Sequence, residues 1–150
     1  MSMRILKGIL RGYLNSLFDE GVVNDKFNQT LALKHTGEPE CVVKLIETYF
    51  ADVERNLSEL SRHMDHPTAD FSKLASLARE IEDKSTRIGA DHMRLACPNL
   101  IKACDEKNPR SYARTLTWLK NEFHNTRNKL TAFVTMERKI IRLEGPRSSI

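Results

Sequence analysis

The stretch DFSKLASLAREIEDKSTRIGA, residues 70–90, decides the fold that this sequence predicts. Its apolar residues recur at three- and four-residue steps, so they share one side of an α-helix, in which each residue advances by about 100°. These residues are Leu74, Leu77, Ile81 and Ile88. Asp70 can cap the start of such a helix and Gly89 can end it, whereas Arg79 falls on the opposite, polar side. The stretch therefore predicts an amphipathic helix with a charged outer face.

The same helical periodicity extends over most of the chain, and no segment alternates as a strand would. Six helices are predicted, over residues 4–18, 24–33, 39–63, 71–88, 90–104 and 109–143. Pro39 is expected in the first turn of the third helix, and Asn108 with Pro109 is expected to start the last one. The residues predicted to face the core include Ile5, Ile9, Leu45 and Leu95.

Long amphipathic helices joined by short connections are typical of an antiparallel bundle. We therefore predict an all-α fold, an antiparallel four-helix bundle with two additional N-terminal helices packed over one end. A length of 150 residues suits one domain with its own core. We expect a single domain over 1–150, with the N-terminal helices in 1–36, the bundle in 37–145 and a tail in 146–150.

Composition narrows the classes of partner. The chain has 24 Lys and Arg against 20 Asp and Glu, and acidic residues interrupt the basic ones, so a nucleic-acid partner is not expected. No segment reaches the roughly 20 apolar residues of a membrane span, and the N-terminus lacks the features of a signal peptide. Cys41, Cys97 and Cys104 form no CxxC pair, which favours a reducing compartment, and Cys97 and Cys104 are expected in the core.

Four segments jointly resemble the plant histidine-containing phosphotransfer proteins, which carry phosphate between hybrid histidine kinases and response regulators. SLFDEGVVNDKF at 16–27 is similar to the family's N-terminal pattern, and VVKLIETYFADVERNLSEL at 42–60 to the helix before its active site. Residues 69–97 are similar to the active-site region, and NEFHNTRNKLTAFVTMERKII at 121–141 to the C-terminal helix. The resemblance thus covers nearly the whole chain.

The active-site pattern of that family is H-x-x-K-G-S-S-x-x-x-G-A. Here Arg79 stands at the phosphoacceptor histidine, Glu82 at the lysine and Asp83 at the glycine, while Ser85 and the Gly-Ala pair at 89–90 agree with the pattern. The chain is therefore most similar to the pseudo-phosphotransfer members, which lack the histidine.

The arginine is decisive for the expected chemistry. Phosphate relay needs a nitrogen lone pair, which a neutral imidazole has and a guanidinium, protonated below about pH 12, does not. Glu82 would also place negative charge where the phosphoryl group needs a cation. We therefore expect no catalytic residue and no enzymatic activity. We also expect no cofactor, and no metal site, because the histidine spacing of HMDH at 63–66 lacks a visible third and fourth ligand.

What the resemblance implies is a decoy in a two-component phosphorelay. The expected partners are response-regulator receiver domains and hybrid histidine kinases, with no nucleic acid and no membrane. The expected contact residues are Arg79, Glu82, Asp83, Thr86 and Arg87. The resemblance further implies a monomer in the cytoplasm and nucleus that acts as a negative regulator of cytokinin signalling.

Three alternatives stay open. The chain could be an active phosphocarrier that uses another residue, and the candidate histidines are His35, His63, His66, His92 and His124. It could be an adaptor with a different partner, or a bundle whose partner was lost. For the charged face alone, the plainer interpretation is a solvated surface with helical pairs Arg79–Asp83 and Glu80–Lys84, each contributing about 0.2–0.5 kcal/mol.

Overall fold

The computed structural model of the chain describes residues 2–64 and 69–145, which contain six helices. The helices are α1 at Met3–Asp19, α2 at Asp25–Thr36, α3 at Cys41–Arg62, α4 at Phe71–Ile88, α5 at Asp91–Asp105 and α6 at Pro109–Glu144. The described part has no strand, and Val23 and Ala90 form only an isolated backbone bridge. The all-α prediction is confirmed, whereas the predicted tail at 146–150 and His66 lie outside the described residues.

Local capping sets several helix ends where the sequence predicts them. The Asp70 carboxylate accepts hydrogen bonds from the backbone N–H groups of Ser72 and Lys73 at the start of α4. The Asn108 side chain accepts from the Ser111 N–H at the start of α6, with Pro109 in the first turn. Such caps satisfy N–H groups that have no partner within the helix.

The start of α3 differs from the prediction. Pro39 lies in a turn before the helix rather than in its first turn. The turn is closed by a 3.0 Å hydrogen bond from the Cys41 N–H to the Glu38 carbonyl, so the helix begins at Cys41.

The bundle is antiparallel. The Tyr112 hydroxyl near the start of α6 donates to the Leu60 carbonyl near the end of α3 at 2.6 Å, and Arg138 near the other end of α6 pairs with Glu47 of α3. α4 and α5 form a hairpin around Gly89 and pack along each other. The four-helix core predicted from periodicity is therefore confirmed.

α6 is long enough to hold the N-terminal helices as well. Its 36 residues span about 54 Å. α1 lies antiparallel against its C-terminal part, where Lys7 pairs with Glu144 at 2.6 Å and the Tyr13 hydroxyl donates to the Lys129 carbonyl at 2.7 Å. None of the helices in 2–64 and 69–145 combines the length and apolarity needed to cross a bilayer.

The prediction of which side of α1 is buried was wrong in part. Ile5 and Ile9 are 56% and 47% exposed, whereas Leu10, predicted in the same apolar stripe, is buried together with Leu6 and Leu17. The apolar face of α1 is broad and Ile5 and Ile9 lie at one edge of it, so periodicity alone does not select the part of the face that docks on α6. Leu45 and Leu95, also predicted to face the core, are 41% and 52% exposed.

The turn between α4 and α5 is fixed by the segment between α1 and α2. The Asn24 N–H donates to the Gly89 carbonyl, and the Asp91 N–H donates to the Val22 carbonyl, both at 3.0 Å. Gly89 has φ +89°, and a Cβ there would lie 2.3 Å from the backbone nitrogen of Phe27. Only glycine fits this position without strain. The N-terminal segment thereby fixes the end of α4.

Candidate functional site

The outer side of α4 carries the five residues that the sequence predicts as partner contacts. We call this group the α4 face, and it consists of Arg79, Glu82, Asp83, Thr86 and Arg87. Four of them are exposed and Glu82 is half-buried. All five thus lie on one accessible side of the helix.

Arg79 lies near the middle of α4, and its side chain is 54% exposed. One guanidinium nitrogen is 3.4 Å from each carboxylate oxygen of Asp105, at the end of α5. This pair is long and exposed, so we expect little stability from it. The Arg79 cation is therefore held loosely at the surface and can turn toward a partner.

The other residues of the α4 face form local contacts. Asp83 and Arg87 pair at 2.7 Å while both side chains remain more than half exposed. The Thr86 hydroxyl donates to the Glu82 carbonyl at 2.8 Å. The Asp83 carboxylate is thus partly neutralised by the cation one turn away.

The helical pairs considered from the sequence do not form. Arg79 contacts Asp105 instead of Asp83. Glu80 accepts a 3.0 Å hydrogen bond from Asn56 of α3. The Lys84 ammonium lies 3.0 Å from a carboxylate oxygen of Asp52, which also belongs to α3. Neighbouring helices offer these side chains partners that compete with those one turn along α4.

Below the α4 face, Ser85 anchors α4 to α3. Ser85 is fully buried, and its Oγ lies 2.6 Å from the Tyr49 hydroxyl. Burial raises the pKa of the Tyr49 phenol, which therefore stays protonated at neutral pH. A hydrogen bond between two buried side chains fixes the rotation of α4 against its neighbour.

The Lys84–Asp52 pair is a second link between α4 and α3. The hydrogen bond from the Lys84 ammonium is the main cause of a lowered pKa at Asp52, and Arg55 contributes further. Both side chains of the Lys84–Asp52 pair are partly exposed. The pair therefore stabilises the orientation of α4 while staying close to solvent.

No candidate histidine lies on α4. His35 is exposed near the end of α2, and His124 is exposed on α6 beside Asn128. His63 ends α3 and contacts Glu59, and His92 near the start of α5 lies 3.9 Å from Glu122. The structure does not bring these four histidines to the position of Arg79.

The three cysteines differ in their burial. Cys97 and Cys104 are buried, as predicted, and burial raises the pKa of Cys97 to about 12 and of Cys104 to about 11. Cys41 is half-buried. The described ranges contain no cluster of three or more His, Cys, Asp or Glu side chains that could hold a metal ion.

Asp105 is the site residue that the sequence did not reveal. It was expected in a turn, but it is the last residue of α5 and faces Arg79. Its contact depends on the register between α4 and α5, to which no local sequence signal points. The α4 face with Asp105 is a mixed-charge surface suited to binding a charged partner.

Known proteins that are similar to this chain are plant histidine-containing phosphotransfer proteins. No family model matches the chain. It is 29% identical to histidine-containing phosphotransfer protein 1 of Arabidopsis thaliana over 136 residues, 91% of this chain and 88% of the relative. It is 28% identical to pseudo histidine-containing phosphotransfer protein 2 of Oryza sativa over 132 residues, 88% of this chain and 85% of the relative. The crystal structure of a maize histidine-containing phosphotransfer protein superposes with a TM-score of 0.85 at 28% identity, covering 91% of this chain and 99% of that one.

Proposed function

We propose that this chain is a pseudo-phosphotransfer protein, which docks on phosphorelay partners without carrying phosphate. The observation that carries the proposal is Arg79, an exposed arginine where the family pattern has its phosphoacceptor histidine. Curated relatives over most of the chain are plant histidine-containing phosphotransfer proteins, and they include pseudo members.

The chemistry of Arg79 supports the absence of phosphate transfer. A protonated guanidinium has five N–H donors and no free lone pair, so it can bind a phosphoryl group or a carboxylate but cannot attack a phosphoryl group as a neutral imidazole does. The half-buried Glu82, in place of the family's lysine, adds repulsion for a phosphoryl group at the same surface. Arg79 is therefore suited to recognition rather than to nucleophilic attack.

The proposed docking surface is the α4 face. Two residues that agree with the family pattern support this proposal, because they hold α4 in place. Ser85 anchors α4 to Tyr49, and Gly89 packs against Phe27. Receiver domains present an acidic pocket. Arg79 would enter this pocket as a permanently charged group in place of a phosphorylated histidine. Asp83 would oppose this approach less than its charge suggests, because Arg87 pairs with it.

We infer that the chain competes with active phosphotransfer proteins for their partners. The chain would bind response-regulator receiver domains and hybrid histidine kinases as a monomeric single domain and would thereby lower the flux of phosphate through the relay. The resemblance favours negative regulation of cytokinin signalling in the cytoplasm and nucleus. An adaptor role with another partner is the competing proposal, which the acidic Glu82 and Asp83 favour.

A binding titration tests the docking. Receiver domains would be titrated with the natural chain, with Arg79→Ala and with Arg114→Ala, an exposed arginine of α6 outside the α4 face. We expect the natural chain and Arg114→Ala to bind alike and Arg79→Ala to bind several-fold more weakly. Absence of binding by the natural chain would remove the decoy proposal and leave the adaptor.

A phosphotransfer assay tests the loss of chemistry. Labelled hybrid kinase should transfer no phosphate to the natural chain, which also tests the alternative that another histidine carries it. The triple variant Arg79→His, Glu82→Lys, Asp83→Gly restores the family pattern at three positions and should become labelled. Labelling of the natural chain would refute the proposal.

A further inference from the structure

A cavity of about 330 Å³ opens between α1, α2 and the C-terminal part of α6. None of the residues that line it comes from α4 or α5, so it is separate from the α4 face. Its volume lies at the lower end of the roughly 300–1,000 Å³ range of small-molecule sites. The cavity therefore has room for a small ligand at a place that the proposed docking does not use.

Glu137 of α6 contributes a buried carboxylate to this cavity. The residue is only 4% exposed, and no described residue hydrogen-bonds its side chain. Its ion-pair partner is Lys34 of α2, whose ammonium lies 3.8 Å from a Glu137 carboxylate oxygen, too far for a hydrogen bond. Because buried carboxylates normally accept several hydrogen bonds, Glu137 has acceptor capacity left for an N–H donor inside the cavity.

Cationic groups surround the carboxylate. Lys7 and Lys34 each face an acidic partner, Glu144 and Glu137 respectively. Arg11 lines the same cavity, and no described residue forms an ion pair or hydrogen bond with its guanidinium. The lysine, arginine and glutamate side chains that line the cavity are three cations and two carboxylates, and the cation without an acidic partner is Arg11.

Arg11 of α1 and Glu137 of α6 line the same cavity from two different helices. α1 runs antiparallel to α6, with Lys7 paired to Glu144. Arg11 is one turn farther along α1, and Glu137 is two turns back along α6, so both lie inward of that pair. The cavity walls between them are apolar and are formed by Leu10, Leu14, Ile140 and Ile141.

These charges exclude the simplest ligands. A plain cation would meet Glu137 but also the three basic side chains, and a plain anion would meet Arg11 but also a buried carboxylate. We propose that the cavity binds a small zwitterion with an apolar side chain, of the α-amino acid class. Its ammonium group donates to Glu137, its carboxylate pairs with Arg11, and its side chain lies against Leu10 and Ile140.

Calorimetric titration of the full chain with L-phenylalanine tests the ligand class. We expect saturable binding with a Kd of about 1 mM or tighter. N-acetyl-L-phenylalanine lacks the ammonium group and L-phenylalaninamide lacks the carboxylate, so each should bind at least tenfold more weakly. Absence of saturation at about 10 mM, or equal binding of the three compounds, would overturn the proposal.

Variants test whether Glu137 and Arg11 bind the ligand. Glu137→Gln and Arg11→Gln should each weaken binding at least tenfold, whereas Arg4→Gln, an exposed α1 residue that does not line the cavity, should leave it unchanged. Thermal unfolding checks that Glu137→Gln is folded, and the exposed Arg11→Gln keeps the test valid if it is not. Unchanged binding in Arg11→Gln, or ligand-induced NMR shifts confined to α4, would refute the site.

Discussion

The Tyr49 hydroxyl and the Ser85 Oγ lie 2.6 Å apart in the interior, where they join α3 to α4 directly beneath the α4 face. Each is the other's side-chain partner, so removal of one leaves a buried hydroxyl without its bond. We expect Ser85→Ala to lower the free energy of unfolding by about 1–3 kcal/mol. Urea denaturation would measure this change.

The corresponding double variant provides the control. Tyr49→Phe should destabilise less than Ser85→Ala, because a serine hydroxyl within a helix can bond to a carbonyl one turn back. Tyr49→Phe with Ser85→Ala removes both polar groups, so its destabilisation should be smaller than the sum of the two single changes. Simple additivity would show that the hydroxyls do not interact in solution.

Gly89→Ala should destabilise the protein by more than about 2 kcal/mol. The new Cβ would lie 2.3 Å from the Phe27 nitrogen, and alanine disfavours the positive φ of this position. Gly8→Ala is the matched control, because nothing lies within 4 Å of its Cβ position in the middle of α1. Gly8→Ala should stabilise the protein by roughly 0.5–1 kcal/mol through helix propensity. Thermal unfolding would record the loss of stability in one variant and the gain in the other.

Acid should weaken the Lys84–Asp52 link. The pKa of Asp52 is lowered in the folded state, chiefly by the hydrogen bond from Lys84. A lowered folded-state pKa stabilises the protein above the unfolded-state value, near 3.8, and this stabilisation is lost as the pH falls through the folded-state value. Both side chains are partly exposed, so the effect should be only about 0.2–1 kcal/mol.

Unfolding of Asp52→Asn at a series of pH values measures that contribution. The natural chain should be the more stable of the two at pH 7, and the difference should shrink below about pH 4. A difference that stays constant between pH 7 and pH 2 would contradict the assignment to Asp52.

Cysteine labelling should separate Cys41 from the other two. Cys41 is half-buried, whereas burial raises the pKa of Cys97 to about 12 and of Cys104 to about 11. The reactive thiolate of the latter two is therefore scarce at pH 8. Iodoacetamide should modify Cys41 first in the native protein, and modification of Cys97 and Cys104 should require unfolding, as peptide mass spectrometry would show.

The sequence predicted those parts of the fold that depend on neighbours along the chain. Asp70 and Asn108 cap their helices because the amide groups they bind lie two or three residues away. Gly89 ends α4 because its φ is positive. These signals are local, so they can be interpreted without knowing how the helices pack.

The parts that depend on packing could not be predicted in this way. Ile5 and Ile9 had the spacing of a buried stripe, but α1 docks on α6 through an overlapping set of leucines. Arg79 had a possible partner one turn away in Asp83, but α5 places Asp105 within reach instead. In both cases several arrangements satisfy the local pattern, and only the contacts between helices select one.

The bond between the Asn24 side chain and Asp91 joins residues 67 positions apart in the chain. Such distant contacts form late, because a long loop must close first, whereas the α4–α5 hairpin consists of nearby contacts. We therefore expect refolding to begin at the hairpin, with the N-terminal helices docking afterwards. Pulsed hydrogen exchange during refolding should accordingly protect the amides of α4 and α5 before those of α1 and α2.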